Sequence, residues 1–345
     1  MTSIIRSALF ATASLACLTA PALADGLSGA PAPFDKGGVK IALVGFISAG
    51  DFFEAYQSGA VAQAKKLGVD LRVFPGKQDP AEERSQIEQA VNLGVKGIVI
   101  DHGLPESLKD VAQKALDAGV KVVAFDVNLD NPKIPQIEQS DHLLARLALE
   151  QAIKDNGESF KVAYVYVAGF APLDRRDEVW SEFKTKHPGI QEIARFGVVN
   201  ATTAASVADQ AKAALRAHPE ISVVFAPYDE FARGVKLAVN ELGLNDKIKI
   251  YSADVSTADI HEITEKDSPW VATVATNPAV VGAASIRSAA LAVAGQDPGH
   301  QIVIEPTLLT QKALRDSGVS TVEELSAKVP AFGKSAAATA AWIGE

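Results

Sequence analysis

Residues 39–74, VKIALVGFISAGDFFEAYQSGAVAQAKKLGVDLRVF, contain the strand–helix–strand unit that decides the fold. The runs 39–46 and 69–74 are short and rich in β-branched residues, as strands are. Between them, apolar residues recur at helical spacing from Phe53 to Leu67, and Gly68 ends the helix. This unit predicts two parallel strands joined by a helix that covers their sheet.

The same alternation continues along the chain and starts again after about residue 140. Further strands are predicted at 97–101, 120–126, 161–168, 191–197, 222–228, 248–254, 270–275 and 302–309. Asp51, Asp79 and Asp141 are predicted to cap helices. The pattern predicts an α/β protein with two doubly wound parallel-sheet lobes.

The first lobe is expected to comprise 39–140 and 277–306, and the second 141–276 and 307–330. No position is predicted for the Ala-rich tail, 331–345.

The first 24 residues have the features of an export signal. Arg6 precedes the apolar run 8–20, and Ala22-Leu-Ala24 fits a signal peptidase site. The only cysteine, Cys17, is either an ordinary signal residue or the lipid-bearing cysteine of a lipoprotein. Ser14-Leu-Ala-Cys17 matches a lipoprotein box poorly, which favours the ordinary role and leaves no thiol after cleavage.

Charge and missing motifs narrow the function. The formal net charge of −9 argues against nucleic acid or an anionic membrane as the main partner. The sequence lacks a Gly-x-Ser-x-Gly elbow, a phosphate-binding loop, a dinucleotide fingerprint and a His-Glu-x-x-His motif. We expect a binding protein without cofactor or metal; a glycosidase that uses carboxylates is the enzymatic alternative.

Polar residues follow several predicted strands at the sheet edge where doubly wound proteins bind ligands. They are Asp51, His102, Asp126, Asp229, Asp254 and Asn277. Each alone is also explained as a helix cap. Together, carboxylates that accept hydroxyl hydrogen bonds and a nearby arginine suit a neutral, hydroxyl-rich ligand.

Other candidates have two possible roles. Phe52 and Phe53 either lie against a sugar ring or pack in the core. Arg175 and Arg176 either reach the ligand or form exposed ion pairs at a helix start. Tyr228 faces either the cleft or the core, and spacing does not decide between them.

In order and spacing, several segments resemble the type I periplasmic sugar-binding proteins, from about Lys40 to about Thr310. They are Ile41-Ala-Leu-Val44 with Phe52-Phe53, Val123-Ala-Phe-Asp126, Ser140-Asp141, residues 218–229 and Ser252-Ala-Asp254. The resemblance implies two lobes joined by a hinge of three segments, near Asn128–Asp141, Ala275–Pro278 and Ile304–Leu308.

The resemblance also implies ligand contacts. Phe52 and Phe53 match the family's aromatic pair, and Asp126 and Asp254 match its two carboxylates. Tyr228 replaces a frequent asparagine, Thr276 or Asn277 stands near the last contact, and either Arg175 or Arg176 matches the binding arginine. Since Val127 stands where an arginine is frequent, a pentose other than ribose, a tetritol or a pentitol is favoured.

The function implied is capture of a small neutral sugar or polyol in the periplasm by a monomer that serves an ABC transporter permease. A sensor that presents its ligand to a chemoreceptor or sensor kinase is the alternative. A sugar-responsive transcription factor shares the fold but would begin with a helix-turn-helix, whereas this chain begins with a signal.

Overall fold

The computed structural model describes residues 26–343 as two lobes, each built on a six-stranded sheet. The strands are β1 (Lys40–Gly45), β2 (Asp70–Phe74), β3 (Gly97–Asp101), β4 (Lys121–Phe125), β5 (Gln136–Glu138), β6 (Phe160–Val165), β7 (Ile190–Phe196), β8 (Val223–Ala226), β9 (Lys249–Ala253), β10 (Trp270–Ala275), β11 (Gln301–Val303) and β12 (Thr307–Thr310). The helices are α1 (Asp51–Lys66), α2 (Pro80–Asn92), α3 (Pro105–Asp117), α4 (Asp141–Asn156), α5 (Ala171–Lys186), α6 (Thr203–Ala217), α7 (Asp229–Leu242), α8 (Thr257–Thr264), α9 (Pro278–Val293), α10 (Gln311–Ser317), α11 (Val322–Lys328) and α12 (Pro330–Gly333). Between residues 26 and 343, no helix combines the length and apolar character needed to cross a bilayer.

Strand order is the same in both sheets, which confirms the predicted fold class. The N-terminal sheet runs β2-β1-β3-β4-β5-β11 and the C-terminal sheet β7-β6-β8-β9-β10-β12. Neighbouring strands are parallel except β12, which is antiparallel to β10. Apolar clusters on both faces of each sheet bury the helices against it, so each lobe has its own core.

Three segments carry the chain between the two sheets. They connect β5 to α4, β10 to α9, and β11 to β12. The single strand predicted at 302–309 is therefore wrong, because Ile304–Pro306 lie between two short strands that belong to different sheets. These segments lie where the resemblance implied the three-part hinge.

Helices α1 and α9 pack closely in the N-terminal lobe. A Cβ atom on Gly59 would lie 2.0 Å from the carbonyl oxygen of Ala279, and one on Gly282 would lie 2.0 Å from that of Tyr56. Neither position has room for a side chain, so both glycines set the distance between the helices. This contact fixes the first turn of α1, which carries Phe52 and Phe53.

The predicted caps have different outcomes. Asp79 caps α2, since its side chain accepts from the backbone N–H groups of Ala81 and Glu82. The cap predictions for Asp51 and Asp141 are wrong: each is the first residue of its helix, after Gly50 and Ser140. Asp141 is fully buried and binds two arginines.

The tail returns to the N-terminal lobe. Phe332 packs in the C-terminal core, whereas Ile343 is buried in the N-terminal core, where Trp342 contacts Phe34 with ring centroids 5.0 Å apart. Arg287 of α9 donates to the backbone carbonyl of Ala337. The tail is thus a fourth connection between the lobes; the predicted signal, 1–24, lies outside the described residues.

Candidate functional site

A cavity of about 460 Å³ lies between the lobes, at the carboxyl ends of the strands. Both lobes and the hinge contribute to its lining, which is Ile47, Phe52, Phe53, His102, Gln139, Phe170, Pro172, Leu173, Arg176, Val199, Tyr228 and Asp254. This mixture of apolar and polar groups is typical of a site for a small organic molecule.

The aromatic pair belongs to both the cavity and the core. Phe52 and Phe53 extend from the first turn of α1 with ring centroids 5.3 Å apart and planes at 75°. Both are about 5 % exposed, and both pack in the N-terminal apolar cluster. The two roles proposed for them from the sequence are therefore compatible.

Carboxylates and guanidinium groups alternate across the cleft. Arg175 donates to Asp126 of the N-terminal lobe, with Nη2 2.6 Å from Oδ1, and to Asp141 from Nε at 2.8 Å. Arg176 donates to the other oxygen of Asp141 at 2.8 Å and to Asp254 at 3.2 Å. We call this series, from Asp126 through Arg175, Asp141 and Arg176 to Asp254, the charged chain.

The two arginines therefore have different positions. Arg175 joins the lobes, while Arg176 lines the cavity and makes all of its recorded bonds within the C-terminal lobe, including one to the carbonyl of Pro227. Its side chain is 2 % exposed, which is unusual for arginine and is compensated by two carboxylates. The alternative of exposed ion pairs is wrong for both residues.

Left-handed backbone conformations aim the polar side chains into the cleft. His102, Asp126 and Asp254 each follow a strand directly, with φ of 66°, 52° and 71°. Their N–H groups still donate to carbonyl oxygens of the neighbouring strands, those of Phe125, Ile137 and Val274 respectively. Non-glycine residues rarely adopt this conformation, and it concentrates at functional sites.

Burial dominates the electrostatics of the carboxylates. Burial and the charge of Asp141 raise the pKa of Asp126 to about 7, although Arg175, His102 and Arg176 oppose the shift. Burial also raises the pKa of Asp254, against the effect of Arg176. Asp254 Oδ1 is buried and has no hydrogen-bond partner among residues 26–343, so an acceptor is available at the cavity wall.

Two predicted residues have distinct environments. Tyr228 lines the cavity and packs edge-on against Phe231, with ring centroids 5.1 Å apart. Asn277 lies outside the cavity lining: its side chain caps α9 through the N–H of Ala279 and donates to Ser326 at 2.7 Å. The structure thus brings together the chosen residues except Asn277.

Sequence reasoning did not select seven of the twelve cavity residues, and His102, Gln139 and Phe170 are the polar and aromatic members of that group. His102 was recognised as a strand-end residue but not chosen as a contact. Gln139 follows β5, a three-residue strand that was not predicted, and it accepts a bond from Thr276 in another hinge segment. Phe170 precedes α5, and the sequence gives no indication that it lines the cavity beyond the presence of an aromatic side chain in a loop.

The lobes touch around the cavity. The rings of Phe46 and Phe170, from opposite lobes, have centroids 6.1 Å apart. At another point Ser256 donates to Asp51, with the oxygens 3.3 Å apart, and Arg233 lies 3.7 Å from the same carboxylate. The cleft is therefore closed in this structure.

Comparisons with known proteins agree with this architecture. The model of the periplasmic binding protein domain matches residues 41–297. A 5-methylthioribose transporter solute binding protein from Thermotoga lettingae is 40% identical, with a TM-score of 0.86 over 88% of this chain and 97% of that one. A sugar ABC transporter structure from Yersinia enterocolitica is 27% identical, with a TM-score of 0.85 over 89% and 93%.

A curated relative extends the match to sugar import. The ribose import binding protein RbsB of Escherichia coli is 26% identical over 264 residues, which cover 74% of this chain and 85% of the relative. The resemblance noted in the sequence is confirmed. The chain belongs to the periplasmic binding protein family.

Proposed function

We propose that this protein captures a sugar or polyol of about pentose size between its lobes and delivers it to the permease of an ABC transporter. The observation that carries the proposal is the cavity between the lobes, whose wall contains Arg176 and Asp254 of the charged chain together with an aromatic pair. The names of the Thermotoga lettingae and Escherichia coli relatives, which refer to 5-methylthioribose and ribose, support it.

The polar groups suit vicinal hydroxyls. Carboxylates accept hydrogen bonds from hydroxyl groups, and a guanidinium group donates to their oxygens. We assign these contacts to Asp126, Asp254 and Arg176, with Arg175 holding Asp126 in place. Each of the three carboxylates in the charged chain is paired with at least one of the two guanidinium groups, so a neutral ligand fits better than an ion.

The apolar groups point to a ligand with an apolar part. Phe52 and Phe53 offer ring faces for the C–H side of a sugar, and Tyr228 can add a further contact. The cavity wall also contains more apolar side chains than a small pentose would contact. They are Ile47, Phe170, Pro172, Leu173 and Val199. A pentose that carries a short apolar substituent, as 5-methylthioribose does, would occupy both environments.

The transport setting follows from the family. We propose that the protein works in the periplasm as a monomer and that the permease recognises the closed form. Release of unchanged ligand distinguishes this role from that of an enzyme. NMR spectra of the ligand after prolonged incubation with the protein should be unaltered.

Thermal unfolding against a panel of sugars tests the binding proposal. A ligand at a hundred times its dissociation constant adds about 2.7 kcal/mol to the free energy of unfolding. We expect a higher midpoint with one or more of ribose, 5-methylthioribose, arabinose, erythritol and ribitol. Amino acids and purines serve as controls; a response to them alone would overturn the assignment to carbohydrates.

A further inference from the structure

The ring of His102 is fixed on several sides at the edge of the cavity. Phe53 and Phe125 contact it edge-on, with centroids 5.2 Å and 5.1 Å away and planes at 74° and 87°. Its Nδ1 lies 2.6 Å from Oδ1 of Asp101. The residue is 8 % exposed and lines the cavity, so the ring has a defined orientation toward a ligand.

The contact with Asp101 determines which ring nitrogen is available. Burial raises the pKa of Asp101, whereas the hydrogen bond and the charge of His102 lower it. In its ionised form the carboxylate only accepts hydrogen bonds, and Nδ1 then carries a hydrogen atom. Nε2 is then the nitrogen that can serve a ligand. It lies 4.0 Å from Oδ2 of Asp126, which is too long for a direct hydrogen bond.

The Asp126 side chain has no exposed surface in this closed structure and does not line the cavity, so a ligand hydroxyl reaches this gap only as the lobes close around it. An oxygen about 2.8 Å from each of the two atoms would see them at an angle of about 90°. A hydroxyl group there can donate to Asp126 and accept from Nε2–H at the same time. An ether oxygen cannot donate, so the arrangement discriminates between the two groups.

We propose that His102, as the imidazolium ion, and Asp126 form a pair that recognises one hydroxyl group of the ligand. Asp101 is the positioning residue that keeps the ring oriented and charged. This inference rests on the proposed function and assigns one step of its specificity. It predicts that ligand affinity depends on the charge of His102.

The surrounding charges favour the imidazolium ion. Burial lowers the pKa of His102, but the hydrogen bond to Asp101 and the charges of Asp101, Asp126 and Asp141 raise it above its ordinary value. Burial raises the pKa of Asp254 in the C-terminal lobe and the charge of His102 lowers it, while burial and the charge of Asp101 raise the pKa of Glu83 on α2. Arg175 and Arg176 face the same carboxylates from α5 and bind them directly.

Affinity should therefore decline at both ends of the pH range. Protonation of Asp126 removes the acceptor at low pH, and loss of the proton from His102 removes the donor at high pH. Above the pKa of His102, the affinity should fall about tenfold per pH unit, because one proton is linked to binding. The alkaline decline is the signature of His102.

Calorimetric titration with ribose and 5-methylthioribose between pH 6 and 10 tests this pair. The wild type, His102→Gln, Asp101→Asn and the exposed control His300→Gln are compared, with unfolding midpoints to confirm folding. In His102→Gln, the glutamine side chain places an amide nitrogen near the position of Nε2 but does not titrate. The ligand affinity of this variant should therefore vary by less than about twofold over the alkaline range. Asn still accepts from Nδ1 without the charge, so the decline should move to lower pH.

The outcomes separate the two proposals. Wild-type binding without an alkaline decline, or the same decline in all four proteins, would overturn the role of His102 and leave the proposed function intact. If His102→Gln does not fold, the affinity–pH profiles of the wild type and Asp101→Asn still test the role of His102. Absence of binding to any sugar by the wild type would overturn both proposals.

Discussion

At the residue scale, the backbone of the cleft limits which substitutions are informative. Asp126 and Asp254 have positive φ, a conformation that Asp and Asn tolerate better than alanine. An alanine variant would combine loss of a ligand contact with backbone strain. Asparagine keeps the shape and the backbone preference, removes the charge and replaces one acceptor oxygen with an N–H donor.

Asp254→Asn should therefore lower ligand affinity while the protein remains folded. Hydrogen bonds to charged groups contribute about 1.5–3 kcal/mol, which corresponds to a loss of roughly ten- to a hundredfold. Calorimetric titration with the ligand found in the sugar panel measures this, with the exposed Asp246→Asn of the same lobe as control. Equal affinity in both variants would remove Asp254 from the site.

Glu83 predicts a pH dependence of stability. It is 2 % exposed, both carboxyl oxygens have no hydrogen-bond partner among the described residues, and burial followed by the charge of Asp101 raises its pKa to about 9. Since the unfolded chain ionises near the ordinary value, folding binds a proton between those two pKa values. The resulting stabilisation is complete below the ordinary pKa and is lost as the pH rises toward about 9.

Glu83→Gln should remove this loss. The free energy of unfolding, measured in urea at pH 5, 7 and 9, should decline less in the variant than in the wild type. Glu88→Gln, an exposed position on the same helix, should follow the wild type. Parallel curves for Glu83→Gln and the wild type would show that Glu83 is ionised at every pH tested.

A position directly after a predicted strand identified some of the cleft residues but not all of them. It placed Asp126 and Asp254 at the cleft because a doubly wound sheet brings strand ends together. It could not separate Asn277, since a helix cap and a ligand contact need the same polar side chain in the same place. Gln139 accepts a hydrogen bond from Thr276, which is 137 positions away, and the local sequence around Gln139 does not indicate that contact.

At the element scale, α5 explains why two adjacent arginines have different tasks. Consecutive helical residues point about 100° apart. Arg175 is therefore directed to Asp126 across the cleft and Arg176 to Asp254 within its own lobe, while Asp141 binds both. The sequence indicated the helix but left the two arginines equivalent, because its rotation depends on packing.

Helix α9 offers a test of the cap assigned to Asn277. Asn277→Ala should lower the free energy of unfolding by about 0.5–2 kcal/mol, as cap removal does, with ligand affinity unchanged. Asn277→Asp keeps the acceptor for Ala279 and should restore most of the loss. Chemical denaturation and calorimetry measure the two quantities; reduced affinity with full stability would instead make Asn277 a ligand contact.

The split between β11 and β12 marks a limit of local patterns. Residues 302–309 contain two apolar runs, separated by Glu305-Pro306-Thr307. Strand propensity identifies extended backbone but not the sheet to which it pairs. β11 belongs to the N-terminal sheet because it pairs with β5, and β12 belongs to the C-terminal sheet because it pairs with β10.

At the scale of the whole molecule, closure joins the site to function. Arg175–Asp126, Asp51–Ser256 and Phe46–Phe170 connect the lobes around the cavity. A ligand that contacts both lobes stabilises this arrangement relative to an open one in proportion to its preference for the closed form. The hinge segments and the returning tail connect the lobes covalently and limit how far the lobes can separate.

Small-angle X-ray scattering of the protein during titration with the ligand from the sugar panel tests the central claim most directly. We predict that the radius of gyration decreases to a plateau as the site fills, and that an equal concentration of maltose, too large for the closed cavity, has no effect. A ligand that binds to saturation without changing the radius would contradict capture of a sugar by closure of the two lobes.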